Sequence, residues 1–121
     1  MSWEDVVVGL QVSIRESADV TILDLQGRAT IGRGNDLLSG HLRKLIGDGA
    51  GKVLLNLAGV PQVDSSSLST IVRAFVSLGR QGGSLKLLRP RGGVRMVLET
   101  LHLLDVIPSF EDEAEAVASF R

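Results

Sequence analysis

The chain has 121 residues, 44% of them apolar and 22% charged, which suits one domain on the usual scale of roughly 100–200 residues. Thirteen Lys and Arg stand against 14 Asp and Glu for a formal charge of −1, so the broad basic footprint of a nucleic-acid binder is missing. There is no cysteine and there are only two histidines, His41 and His102; a disulfide framework, a thiolate metal centre and a Cys nucleophile are excluded.

In chain order, Leu10, Val12 and Ile14 alternate with Gln11, Ser13 and Arg15, the period of a half-buried strand. A polar turn at Glu16-Ser17-Ala18-Asp19 leads to a second β-type run over 20–25, which predicts a hairpin. Residues 27–34 read as a loop. From Asn35 the period changes, and Leu38, Leu42, Leu45 and Ile46 mark one face of a helix that Gly47 and Gly49 end. Val53-Leu54-Leu55-Asn56-Leu57 is nearly continuous in apolar residues, as expected of a central strand covered on both faces. A turn at Gly59-Val60-Pro61 precedes Asp64 and a second helix, with Leu68, Ile71, Val72, Phe75 and Val76 as its apolar stripe. Gly82-Gly83 closes it, and Leu85-Lys86-Leu87-Leu88 is the next strand. After the turn 89–93, Val94, Val97, Leu98 and Leu101 predict a third helix, and His102 is read as capping its carbonyls. Val106-Ile107 reads as a short strand broken by Pro108, and 112–120 as a final helix with acids in its first turn.

Strands that alternate with helices predict an α/β domain with a mainly parallel or mixed sheet. No apolar run approaches the roughly 18–20 residues that cross a bilayer, and Met1-Ser2-Trp3-Glu4-Asp5 is acidic where a secretory signal is basic. The expectation is a soluble cytoplasmic chain with no membrane insertion. Tyr is absent and four other aromatics are scattered, which argues against base stacking. Gly32-Arg33-Gly34 lacks the third glycine of a dinucleotide loop, so no cofactor is expected. No nucleophile elbow is present, and no catalytic residue or metal site is assigned. Arg89, Arg91 and Arg95 cluster around Gly92-Gly93, either as a solvated turn or as an anion-binding nest.

Function in such sheets gathers where strands end and helices begin, which draws attention to Asp64-Ser65-Ser66-Ser67. Asp64 is a good N-cap, and capping alone explains most clusters of this kind. The alternative is phosphorylation. The helix N-terminus favours an anion by roughly 0.3–1 kcal/mol, and a phosphate beside Asp64 would place about 2.5–3 negative charges within one turn. A partner fitted to the neutral hydroxyl would then be repelled without any refolding.

Leu54-Leu55-Asn56-Leu57, followed by Val60-Pro61-Gln62-Val63-Asp64-Ser65-Ser66-Ser67-Leu68, resembles the signature of STAS domains of the anti-sigma-factor-antagonist type. Leu25-Gln26-Gly27-Arg28, Gly82-Gly83-Ser84-Leu85-Lys86-Leu87 and Asp112-Glu113-Ala114-Glu115-Ala116 extend the resemblance over nearly the whole chain. It implies one STAS-type domain over 1–121, a mixed sheet of four or five strands flanked by about four helices. It also implies a non-enzymatic regulator of transcription that binds an anti-sigma factor with serine kinase activity. By the same resemblance Ser65 is the phosphate acceptor, with Ser66 and Ser67 as alternatives. Asp64, Ser65, Ser66 and Ser67, with Ser69 and Arg73 along the helix and Arg28 and Thr30 in the preceding loop, form the partner-binding set. Two positions depart from the family pattern: Ser67 replaces a glycine, and Gly27-Arg28-Ala29-Thr30 replaces an acidic loop. A scaffold subunit of a larger assembly, such as a stress-signalling complex or a lipid-transport ATPase, is the alternative role.

Overall fold

The computed structural model describes residues 10–27 and 33–121. Strands β1 (Leu10–Ser17) and β2 (Val20–Gly27) form an antiparallel hairpin. Its two turn residues, Ala18 and Asp19, both have positive φ (48° and 65°), the mirror-image turn whose twist matches the strands. Helix α1 (Arg33–Gly47) crosses to β3 (Lys52–Gly59), and α2 (Ser65–Arg80) crosses to β4 (Ser84–Leu88). Helix α3 (Gly92–Thr100) and a 3₁₀ turn (Leu103–Asp105) lead to the two-residue β5 (Ser109–Phe110), and α4 (Glu113–Ala118) follows. The sheet order is β1-β2-β3-β4-β5, with every pair after the hairpin parallel. This is a five-stranded mixed sheet of α/β type, with four helices among the described residues.

Alternation along the strands decides what each face buries. Leu23, Leu25, Val53, Leu55, Leu57, Leu85 and Leu87 point to the face covered by α1, α2 and α3. Val20, Ile22, Leu54 and Leu88 point the other way, under Ala116, Val117 and Phe120 of the C-terminal segment. That double coverage is why β3 has no polar alternation apart from Asn56. Two glycines are required by close approach. A Cβ on Gly59 would sit 2.9 Å from the Leu25 carbonyl oxygen, beside the β2–β3 register shift, and one on Gly83 would collide with the Gly51 carbonyl.

The structure corrects several sequence expectations. Val106-Ile107 is not a strand: Val106 is exposed and Ile107 buried after the 3₁₀ turn. The strand follows Pro108 instead, because the Pro108 carbonyl accepts from Leu87 N–H at 2.9 Å, and a proline that leads into an edge strand loses no ladder donor. Ile14 is exposed, since the helical layer covers only the start of the edge strand β1. The buried face of α2 runs through Leu68, Ile71, Ala74 and Leu78, which leaves Val72 and Phe75 half-buried and Val76 exposed. Leu101 lies just beyond α3 and is exposed. The last helix is shorter than predicted, with Asp112 as its N-cap, accepting from Ala114 N–H at 2.8 Å. His102, at φ 58°, closes α3 through its backbone N–H, which donates to the Glu99 carbonyl at 3.0 Å. No helix among the described residues is long and apolar enough to cross a membrane.

Candidate functional site

The end of β3 and the start of α2 build the site from backbone requirements upward. Asp64 has extended backbone (φ −110°, ψ −179°) and accepts from Ser67 N–H at 3.0 Å. The same carboxylate oxygen accepts from the Ser66 hydroxyl at 2.9 Å. One of the four orphan donors of the helix start is thereby satisfied, and Ser66 is oriented. Thr70 Oγ1 donates to the Ser66 carbonyl at 3.0 Å, and Arg73 Nε to the Ser69 carbonyl at 3.3 Å.

The three serines differ. Ser65, the first helical residue, is exposed, and its hydroxyl has no hydrogen-bond partner among the described residues. Ser66 is half-buried and engaged by Asp64. Ser67 has 0% exposure and its hydroxyl oxygen has no partner. Its position three and four residues before Thr70 and Ile71 places it on the inward face of α2. The structure thus removes Ser67 from the surface that a partner or a kinase can reach, whereas the sequence pattern had grouped it with its neighbours. The spacing Ser67, Ile71, Ala74, Leu78 is the signal that separates it.

Ser65, Ser66, Ser69 and Arg73 stand along one open groove of about 760 Å³. Its apolar wall is Leu68 and Val72 from α2, with Leu101 and Leu103 from the segment after α3. Sequence reading missed those two leucines, although an apolar pair around His102 beyond a helix end was visible. Of these, Leu101 is exposed. Asp64, Ser65, Ser66, Ser69 and Arg73 are therefore brought together at one edge of α2. Arg28 and Thr30 lie outside the described residues. Two arginines of the 89–95 turn are engaged within the chain. Arg89 Nε donates to the Glu111 carbonyl at 2.7 Å, and Arg95 pairs with Glu99 at 2.8 Å.

On the opposite face of the sheet, Arg15 joins Asp24 at 2.6 Å and Glu113 at 2.9 Å, and Asn56 Nδ2 donates to Asp24 at 2.7 Å. The Arg15 guanidinium holds both carboxyls below the usual carboxylate range and is itself raised by them. This network ties strands to α4 and lies away from the serine junction.

Comparison with known proteins supports the architecture. The family model described as the STAS domain matches residues 11–116. A Thermotoga maritima protein named as an anti-sigma factor antagonist is 30% identical over 78 residues, 64% of this chain and 69% of that one. An anti-sigma factor antagonist from Mycobacterium paratuberculosis superposes with a TM-score of 0.82 at 14% identity, over 94% of this chain and 96% of the other. The Bacillus cell fate determinant SpoIIAA in its phosphorylated form gives 0.73 at 18% identity, covering 92% and 100%. With the family model spanning most of its length and the five-stranded sheet in agreement, the chain belongs to the STAS domain family.

Proposed function

We propose that this chain is an anti-sigma factor antagonist, a non-enzymatic cytoplasmic regulator of transcription. It docks on an anti-sigma factor through the Ser65 edge of α2 and is released when that partner, acting as a serine kinase, phosphorylates Ser65. The observation that carries the reading is the exposed, unengaged Ser65 hydroxyl at the mouth of a groove with an apolar wall. The names of the matched relatives agree with it. In the transfer, Ser65 Oγ attacks the γ-phosphorus of ATP held by the kinase. The bond to ADP breaks, and the hydroxyl proton passes to a base on the kinase. The dianion lands beside Asp64 at the positive end of α2, where the fold tolerates it. A partner seated over the groove meets repulsion and the desolvation of new charge.

Incubation with the cognate anti-sigma kinase and ATP, followed by mass spectrometry, is expected to place one phosphoryl group on Ser65 and none in Ser65→Ala. Ser65→Asp is expected to weaken the complex by about tenfold or more, through like-charge repulsion at a desolvated surface. No phosphate on 65–67, together with unchanged binding by Ser65→Asp, overturns the switch. Recovery of a transporter ATPase in place of the kinase-like protein from the native host overturns the choice of partner.

A further inference from the structure

Helices α1 and α2 pack on the same face of the sheet, yet between them a cleft of about 330 Å³ remains open. Its floor is apolar, made by Leu42, Ile46 and Ala74, and its rim carries Arg43 from one helix and Arg73 from the other. The hydroxyl residues Ser39, Thr70 and Ser77 line the same space. No carboxylate is among the described lining residues, and α2 has no acidic residue anywhere in its length. Arg43 makes no hydrogen bond or ion pair among the described residues. Arg73 uses Nε on the Ser69 carbonyl, and its Nη groups make no hydrogen bond or ion pair among the described residues. By contrast Arg15 and Arg95 each face a carboxylate of the chain itself.

We propose that this cleft binds a small organic dianion, a phosphate monoester or a dicarboxylate, with Arg43 and Arg73 as its two cationic walls. Two guanidinium groups that approach one cavity repel each other until a counter-charge bridges them. A ligand with two anionic oxygens can bond both forks where a monoanion serves one. The volume lies at the lower end of small-molecule sites, and an apolar floor with a few convergent polar groups is their usual make-up. Arg73 also lines the α2–α3 groove. Occupancy of the cleft therefore draws one cation away from the docking surface and weakens partner binding. That consequence rests on the docking reading above, whereas the binding itself does not.

The test is amide NMR of the full chain, titrated separately with phenyl phosphate and with succinate, and with sodium chloride at matched ionic strength. Saturable shifts confined to residues 39–46 and 70–77 are expected with at least one of the two dianions, and the stronger binder identifies the head group. Arg43→Gln and Arg73→Gln, both at exposed positions, are each expected to weaken binding by about tenfold or more, the loss of a charged hydrogen bond. Ser77→Leu, which fills the cleft, should abolish the shifts while the spectrum remains that of the folded chain. Shifts that grow linearly for both dianions, that chloride reproduces, or that persist at full strength in both arginine variants overturn the proposal. None of these outcomes depends on the anti-sigma partner, so this failure is distinguishable from failure of the switch.

Discussion

Ser67 shows how much one side chain can separate from its neighbours in sequence. Its hydroxyl is fully buried with no hydrogen-bond partner, a situation that costs about 1–3 kcal/mol relative to a satisfied group. Asp64 takes the backbone N–H of the same residue, so the amide is satisfied while the side chain is not. Ser67→Ala removes the unpaired oxygen, keeps the Cβ and improves helix propensity. Urea denaturation is expected to show a gain of about 1 kcal/mol for this variant, and a loss would mean that the hydroxyl is bonded in solution. Ser65 lies two residues away yet is on the outward side of the same turn, which is why only one of the pair can meet a partner.

At the scale of elements, α4 is a six-residue helix that would not persist alone. Contacts at both its ends hold it to the sheet. Lys86 Nζ donates to the Ser119 carbonyl at 2.8 Å and stands 4.7 Å from the centre of the Phe120 ring. Arg15 reaches Glu113 in the first turn while it holds Asp24 on β2. Both carboxyls have folded pKa values below their ordinary ones. Their contribution is therefore complete above the unfolded pKa values, near pH 5 and upward, and is lost as pH falls through the lowered folded values. All three groups are roughly a third or more exposed, so screening by water keeps the whole network to about 1 kcal/mol. Arg15→Gln is expected to lower stability by about that amount at pH 7. The difference should shrink progressively as pH falls below about 5 and shrink in 1 M salt; a difference that is constant with pH would show that Arg15 acts through packing.

For the whole molecule, one sheet separates two chemically distinct jobs. The α1–α2–α3 side holds the larger core, the serine junction, the α2–α3 groove and the α1–α2 cleft, while the α4 side closes the smaller core with its ion-paired network. A substitution on the exposed rim of the groove should then affect association without affecting the fold. Leu101 is 55% exposed and belongs to the groove wall. Leu101→Asp is expected to leave the melting temperature within about 2 °C, as surface changes usually do. If the proposed anti-sigma partner docks on this groove, the same variant should weaken its binding by about tenfold or more, because an apolar anchor is replaced by a charge. Unchanged binding would move the docking surface elsewhere.

The order of elements, the hairpin, the central β3 and the Asp64 cap were all legible in the sequence, because local periodicity and capping chemistry act over a few residues. Strand order was not, nor was β5 beyond Pro108, since a two-residue strand has no period and exists only through its pairing with β4. The grouping of residues 64–67 as one surface cluster failed at Ser67 for a related reason. The spacing of Ser67 with Ile71, Ala74 and Leu78 marks the inward side, but the polarity of a serine argues for the outward one, and the sheet beneath the helix decides between them. The α2–α3 groove and the α1–α2 cleft are likewise products of packing, drawing on residues more than 30 positions apart that no local pattern links. Sequence alone thus determined which of the longer segments form helices and strands and where a charged cap opens α2. The packing of those elements decided which serine faces water, which leucines wall the groove and where two arginines meet, because burial is settled by the neighbour an element lands on.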